Sequence, residues 1–277
     1  MTALLNSTQV LDTFAAEPTV LRWLIAIALL AAAGLYAYAI LGFWRHGSLP
    51  SLRQRGLIRD HHLTLFALGL AAIAIALLSP VDELADLRFS AHMIQHMLLM
   101  MVAAPLILLG LPSPVVRGAL GNRNAREILG RISDPLVGYL AFNANLLLWH
   151  VPGLYGLALR NESIHALQHA LFFYTALLFW WRVIDPTHGW YPMWRWPPAT
   201  WVYLLVAAPP SYALGTILWA GGRQLYPHYT EVAGSWAQSP LADQQLGGLF
   251  MWIQGWMFLR VSMPIFFVWY DPELEQA

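Results

Sequence analysis

Residues 19–42 read TVLRWLIAIALLAAAGLYAYAILG and contain a single charged side chain, Arg22. A helix needs about 20 consecutive apolar residues to cross the hydrocarbon core of a bilayer, and this segment is longer than that. No basic region precedes it, and it is too long for the apolar core of a signal peptide. The segment therefore predicts a membrane-spanning helix that is retained in the mature protein.

The rest of the chain has the same character. Of its 277 residues, 58% are hydrophobic and 11% are charged, whereas charged residues make up about a quarter of a soluble domain. This composition excludes a soluble enzyme with a single core. We predict an all-α, polytopic membrane protein in which residues 1–277 form one transmembrane domain, a bundle of seven helices. The spans are expected at about 19–42, 62–80, 90–110, 135–158, 163–184, 199–220 and 244–270.

The arginine residues predict the orientation of the bundle. Ten of them flank the loops after the first, third and fifth spans, and four flank the other loops. Because cytoplasmic loops carry the excess of basic residues, we expect the N-terminus outside and the C-terminus in the cytoplasm. The formal net charge is zero, so the chain has no global field that would attract nucleic acid.

Two adjacent prolines, Pro209 and Pro210, lie in the middle of the sixth predicted span. Proline has no backbone N–H, and its ring clashes with the preceding turn of a helix. The pair is therefore predicted to break this span. A broken span is tolerated where protein or a water-filled cavity satisfies the freed carbonyl groups.

Histidine is frequent for so apolar a chain, with ten residues. The third and fifth spans begin with the same pattern, His92-Met-Ile-Gln-His96 and His165-Ala-Leu-Gln-His169. Histidines four residues apart share one helix face, with Cβ atoms about 5–6 Å apart, so both imidazoles can bind one ion. His150 approaches the same depth from the end of the fourth span. Since ionisable groups inside a membrane are functional by default, we predict that these five imidazoles form a metal or cofactor site.

Methionines beside the first histidine pair narrow the choice of metal. Imidazole together with thioether, without carboxylate, suits copper and especially Cu(I), although imidazoles also bind zinc. The sequence has no cysteine, which excludes thiolate ligands. His61 and His62, at the cytoplasmic start of the second span, are not expected to take part. The predicted metal ligands are His92, His96, His165, His169, His150, Met93 and Met97.

Acidic and amide side chains near the same membrane face are candidates for a supporting role. Asp82 and Asp86 precede the third span, and Asp243 begins the seventh. Such carboxylates fit a solvated loop face, an access route for cations, or groups that orient the ligating imidazoles. Gln95 and Gln168, inside the two repeated motifs, belong to the same candidate set.

Four stretches of the chain are similar to the motifs of one known family. They are His92-Met-Ile-Gln-His-Met-Leu-Leu-Met100 running on to Ala104-Pro-Leu106, Trp149-His-Val-Pro-Gly-Leu-Tyr155, His165-Ala-Leu-Gln-His169 and Leu225-Tyr-Pro-His-Tyr229. Together they resemble the multi-span CtaG family of cytochrome c oxidase assembly factors, over residues 80–270 or so.

The resemblance implies a bacterial inner-membrane protein, not an enzyme, that helps to supply copper to the haem–copper centre of the oxidase. Its implied partners are an oxidase subunit, a periplasmic copper donor and the lipid membrane. The resemblance does not assign the copper ligands, which rest on spacing alone.

Two other functions stay open on the sequence alone. A seven-span zinc hydrolase would hold its metal with intramembrane histidines and activate a water molecule, but no predicted span carries a carboxylate in its interior. A membrane protein could also hold a single haem between two histidines of the third and fifth spans. Metal content separates the first alternative from copper binding, and the absorption spectrum separates the second.

Overall fold

The computed structural model describes residues 20–187, 189, 197–233 and 239–269. Over these residues the chain is helical and contains no β-strand, which confirms the all-α prediction. The helices are α1 (Val20–Arg45), α2 (Leu49–Gln54), α3 (Asp60–Leu78), α4 (Pro80–Leu87), α5 (Phe89–Leu109), α6 (Ser113–Ala119), α7 (Arg123–Ile132), α8 (Pro135–Trp149), α9 (Pro152–Arg160), α10 (Glu162–Ile184), α11 (Pro197–Ala220), α12 (Pro227–Val232) and α13 (Pro240–Trp269).

Four of the described helices are long and apolar enough to cross a membrane. They are α1, α3, α5 and the Ala199–Ala220 part of α11. The chain is therefore a membrane protein, as the composition predicts. The count of seven spans, the single domain and the orientation stay predictions, and both termini lie outside the described residues.

The fourth predicted span, 135–158, is not one helix. The structure divides it into α8, which ends at Trp149, and α9, which begins at Pro152. Proline disfavours the helical conformation in the residue before it, and Val151 is accordingly extended, with φ −62° and ψ 124°. The break leaves His150 as the capping residue directly after the last residue of α8.

The sixth span behaves in the opposite way, and the prediction of a break there was wrong. Helix α11 continues from Pro197 to Ala220 with Pro209 and Pro210 inside it. The fixed φ of proline lies in the helical range, so two prolines remove hydrogen bonds from the helix without forcing the chain to leave it.

The third span contains an irregular turn that the sequence analysis did not predict. Within α5, residues Leu98–Ala103 form a π-helix, and the N–H of Ala104 donates to the carbonyl of Leu99, five residues earlier. This wider turn precedes Pro105, whose ring would clash with the carbonyl four residues earlier in a regular α-helix. It also releases the carbonyl of Met100, to which the indole N–H of Trp180 donates at 3.0 Å.

Polar contacts bring the starts of α1 and α5 to the same end of the bundle. Arg22, in the first turn of α1, forms ion pairs with Asp82 at 3.0 Å and Glu83 at 2.9 Å, both on α4. Gln95 of α5 donates to the same Asp82 carboxylate at 2.7 Å. Helix α4 therefore links the first transmembrane helix to the helix that carries the first histidine pair.

Glycine residues allow α13 to lie close to two other helices. A Cβ atom on Gly248 would lie 2.8 Å from the carbonyl oxygen of Gly215 on α11. A Cβ atom on Gly247 would overlap the ring of Phe89 at the start of α5. No side chain fits at these distances, so the close approach of α13 requires glycine at both positions.

An aromatic cluster fastens α8, α10 and α13 together in the interior. The ring of Phe179 lies 4.8 Å from that of Phe142 and 5.3 Å from that of Phe258, measured between centroids. All three side chains are fully buried. Ring pairs at this spacing contribute about 0.5–1.5 kcal/mol beyond the burial of their area.

The hydrogen bond from Trp180 to the carbonyl released by the π-helical turn can be tested by mutation. Replacing Trp180 with Phe leaves the buried Met100 carbonyl without its donor, and we expect a loss of about 1–3 kcal/mol in the free energy of unfolding. The matched control is Trp181→Phe, because the Trp181 indole N–H has no hydrogen-bond partner within the described residues. Thermal unfolding in detergent measures both, and equal destabilisation would contradict the assigned role of Trp180.

Candidate metal centre

Two helix starts place the histidine pairs. Asp243 of α13 accepts hydrogen bonds from the backbone N–H of Ser90, at 3.3 Å, and from its hydroxyl. Since the first N–H groups of a helix have no partner within it and attract anions, this carboxylate anchors the start of α5. In α10 the side chain of Asn161 accepts from the N–H of Ile164 at 3.1 Å, which caps the helix four residues before its first histidine, His165.

The four histidines of the two repeated motifs meet between α5 and α10. The ring centroid of His92 lies 4.3 Å from that of His96, 5.0 Å from that of His165 and 5.7 Å from that of His169. His165 and His169 are 4.3 Å apart. His92, His96 and His169 are buried, and His165 is half-buried. The convergence that the two motifs predict is therefore present.

Three of these imidazoles could hold one ion together. The ligand atoms of His92, His165 and His169 all lie within 4.8 Å of one another. Tetrahedral ligation at 2.0–2.1 Å separates ligand nitrogens by about 3.3 Å, so binding an ion would draw these side chains together by at most about 1.5 Å. His96 lies beside the trio, with its Nε2 2.9 Å from Nε2 of His92.

A tyrosine on α12 sets the protonation of His92. The hydroxyl of Tyr229 donates to the carbonyl of Ala85 at 3.1 Å and lies 3.3 Å from His92 Nδ1. Burial raises the pKa of Tyr229 well above its usual range, so it keeps the one proton that it donates. The hydrogen between Tyr229 and His92 therefore belongs to Nδ1, and we assign the lone pair of His92 to Nε2, the atom that a metal would use.

His150 reaches the cluster from the end of α8. Its Nδ1 donates to the carbonyl of Leu146 at 2.7 Å, and its Nε2 lies 3.4 Å from the sulfur of Met93. The ring centroid of His150 is 6.2 Å from that of His96. The break between α8 and α9 thus positions this side chain, because His150 is the residue that caps the C-terminal end of α8.

Several nitrogen atoms of the cluster have no hydrogen bond. Within the described chain, Nδ1 of His96, Nε2 of His165 and Nε2 of His169 are buried without a partner. Buried polar atoms are paired in the great majority of cases, and each exception calls for an explanation such as an ion. Unpaired imidazole nitrogens from three histidines at one place fit a cation that binds among them.

A cavity of about 700 Å³ connects the cluster to acidic side chains. It lies between α1, α3 and α10, and His165 and His169 form part of its wall. Its charged lining also includes Arg22, Arg160 and the four carboxylates Asp82, Glu83, Asp86 and Glu162. Asp82 and Asp86, which the sequence assigns to a supporting role, therefore share one cavity with two of the predicted ligands.

The remaining predicted site residues lie nearby with different contacts. Gln95 donates to the carbonyl of Ala76 at 2.8 Å as well as to Asp82, so it ties α5 to the end of α3. Gln168 is fully buried, and both polar atoms of its amide lack a hydrogen-bond partner within the described residues. Met97 is half-buried one turn after Met93. Their roles at the site stay predictions.

Comparison with known protein families shows the family to which the chain belongs. Residues 46–271 match the cytochrome c oxidase caa3 assembly factor family, Caa3_CtaG. The chain belongs to this family. The family's role implies a cytochrome c oxidase as partner and association with the membrane. No curated protein and no solved structure matched the chain.

The sequence analysis missed the tyrosine network of this CtaG-family protein. Tyr155 and Tyr229 lie in motifs that carry the family resemblance, and their hydroxyls are 2.9 Å apart. Tyr226 donates to the carbonyl of His150 at 3.0 Å. The available signal was the presence of tyrosine in apolar segments, because a buried tyrosine hydroxyl needs a polar partner.

The contact between Tyr229 and His92 predicts an effect on metal affinity. In Tyr229→Phe the protein should fold, but His92 loses the acceptor that keeps its proton on Nδ1. Any ion bound through Nε2 should then bind about 10–100-fold more weakly, the usual effect of removing a group that orients a ligand. Competition with a chelator measures this affinity.

The matched control is Tyr203→Phe, which also removes a buried hydroxyl that donates to a carbonyl, that of Phe179. Equal affinity in wild type and Tyr229→Phe would show that the tyrosine does not orient His92.

Proposed function

We propose that this protein binds copper at its histidine cluster and passes it to a cytochrome c oxidase during assembly of the haem–copper centre. The observation that supports this most directly is the trio of His92, His165 and His169, whose ligand atoms lie within 4.8 Å of one another, in a member of an oxidase assembly family. Copper is the cargo of this reaction, and the protein is a carrier rather than an enzyme.

The ligands suit an ion that must be released again. Neutral imidazole binds copper, zinc and iron, and the chain has no cysteine that would hold a soft metal more firmly. Binding would also satisfy the nitrogens of His165 and His169 that lack a hydrogen bond. The cluster thus becomes more stable when an ion occupies it, yet the ion is held only by neutral groups.

The acid-lined cavity offers a route to the cluster. Asp82 and Glu83 are paired with Arg22, so much of their charge is neutralised. Asp86 and Glu162 extend the acidic lining toward His165, which is half-buried and would meet the ion before the fully buried His92 does. Carboxylates that line a cleft raise the local concentration of cations and the rate at which they bind.

In the cell, this function places the protein in the bacterial inner membrane with the cluster near the periplasmic face. The copper would come from a periplasmic donor, and an oxidase subunit in the membrane would receive it. The arginine distribution supports this orientation, because it predicts that the starts of the third and fifth spans lie outside.

Loss of the first histidine pair tests this proposal. We expect a variant with His92→Ala and His96→Ala to insert and fold, since its apolar helices are unchanged and two methyl groups are easier to bury than two imidazoles. Copper bound to the purified protein should fall, because two of the clustered imidazoles are lost, and the oxidase should accumulate without activity. Added copper should restore part of the activity by mass action.

The matched control replaces His61 and His62 with Ala. These two histidines form a second adjacent pair, at the start of α3. Their replacement should leave copper content and oxidase activity unchanged. Normal oxidase activity in low-copper medium, with the His92/His96 variant present at wild-type abundance, would rule out the proposal. Stoichiometric zinc with hydrolytic activity would support a hydrolase instead, and a Soret band would indicate haem.

The access route makes a separate prediction about rates. Asp86→Asn removes one carboxylate from the cavity, so copper should load severalfold more slowly while the final amount bound stays the same. Asp60→Asn is the control, because Asp60 is 88% exposed and pairs with Arg53 at the start of α3. Stopped-flow mixing of the apoprotein with copper measures the rates, and identical rates for all three proteins would exclude this route.

A further inference from the structure

The side chains of His150 and Met93 face each other in a way that hydrogen bonding does not explain. Nδ1 of His150 lies 2.7 Å from the carbonyl of Leu146, which can only accept, so Nδ1 carries the proton of the neutral imidazole. The lone pair is then on Nε2, and this atom lies 3.4 Å from the sulfur of Met93. A thioether sulfur has no proton, so two electron-pair donors stand opposite each other without a hydrogen between them.

We propose that the cluster holds two metal sites, and that His150 Nε2 and Met93 Sδ form the second one, which selects the cuprous ion. The proposal rests on the proposed function, because it divides the same histidine cluster into two sites. The first site is the trio of imidazoles, and the second lies on the side of His96 that faces α8.

The distance between the two donors fits a shared ion. A metal bound tetrahedrally, at about 2.0 Å to imidazole and about 2.3 Å to sulfur, holds these atoms about 3.5 Å apart. The observed separation is 3.4 Å, so an ion could bind between them with little movement. Both donors are also held in place. His150 donates to the carbonyl of Leu146, and Gly247 packs so closely against Met93 that a Cβ atom on this glycine would lie only 3.2 Å from Met93 Cγ.

The two sites differ in the chemistry of their ligands. The trio offers imidazole alone, which accepts copper in either oxidation state as well as zinc. The second site adds a thioether, a soft ligand that favours Cu(I). A buried site made only of neutral donors also favours the lower charge, because an unpaired charge is expensive to bury.

His96 lies where an ion could pass from one site to the other. Its ring has contacts with His92 and His169 of the trio, at 4.3 and 5.4 Å, and with His150, at 6.2 Å. Its Nδ1 is buried and has no hydrogen-bond partner among the described residues. An ion that moves between the sites could therefore keep one imidazole ligand throughout, so no step leaves it without protein ligands.

The experiment loads the purified protein with Cu(I) under anaerobic conditions and counts the ions bound to wild type and to Met93→Leu. We expect two ions in wild type and one in the variant. X-ray absorption should show copper–sulfur scattering at about 2.3 Å in wild type and none in Met93→Leu. Met100→Leu is the matched control, because Met100 is an equally buried methionine of α5, and it should behave as wild type. His150→Asn is the second variant and should also bind one ion.

The outcomes separate this proposal from the proposed function. One cuprous ion in wild type, or sulfur scattering that persists in Met93→Leu, would overturn the second site and leave copper binding by the trio intact. Absence of any bound copper in wild type would overturn both. Circular dichroism and the elution volume of each variant in detergent establish that a lost ion does not reflect a lost fold.

Discussion

Burial of imidazole nitrogens inside an apolar bundle is the constraint on which the rest of this structure depends. Each neutral imidazole has one N–H and one lone pair, and a buried polar atom without a partner is costly. The protein satisfies one nitrogen of His92 with Tyr229 and one of His150 with Leu146. In both cases the nitrogen that carries the proton donates the hydrogen bond. The other nitrogen, which carries the lone pair, faces His96 in the case of His92 and Met93 in the case of His150. Hydrogen bonds thus leave the nitrogen lone pairs of these two histidines directed into the cluster.

Two irregular parts of the helices, the break after α8 and the π-helical turn in α5, lie next to the histidines of the cluster. Pro152 stops the chain from continuing α8 beyond its capping residue, His150. The His150 imidazole donates to the carbonyl of Leu146, which in a continuing helix would accept from the backbone N–H of His150. Pro105 follows the π-helical turn of α5, which lies directly after the first histidine pair. π-helical turns occur frequently at functional sites. In this protein the turn also frees the carbonyl that receives Trp180, so it fastens α5 to α10.

The sequence predicted the helical class and the meeting of the histidines because both depend on short-range patterns. Apolar runs identify membrane helices, and the i, i+4 spacing of His92 with His96 places both on one face whatever the rest of the fold does. Proline effects were harder to predict. Two prolines inside α11 left it continuous, whereas Pro152 divided α8 from α9, and the difference depends on tertiary surroundings that a single segment does not reveal. The contact of Tyr229 with His92 spans 137 positions of the chain, so no local pattern contains it.

In the proposed function, a carrier must bind its ion tightly enough to collect it and weakly enough to release it, and this site would meet both demands without a thiolate. Hydrogen bonds to Tyr229 and Leu146 pre-orient two ligands, so less conformational freedom is lost when an ion binds. The lack of charge on the proposed ligands would have the opposite effect and favour release of the ion. The trio supplies only neutral imidazoles, and the carboxylates lie in the adjoining cavity, where they attract a cation. Attraction and coordination of the ion would thereby fall to different residues. In the proposed function, charge in the cavity would gather the ion and neutral donors in the interior would hold it, so a receiving protein would compete only with those neutral donors.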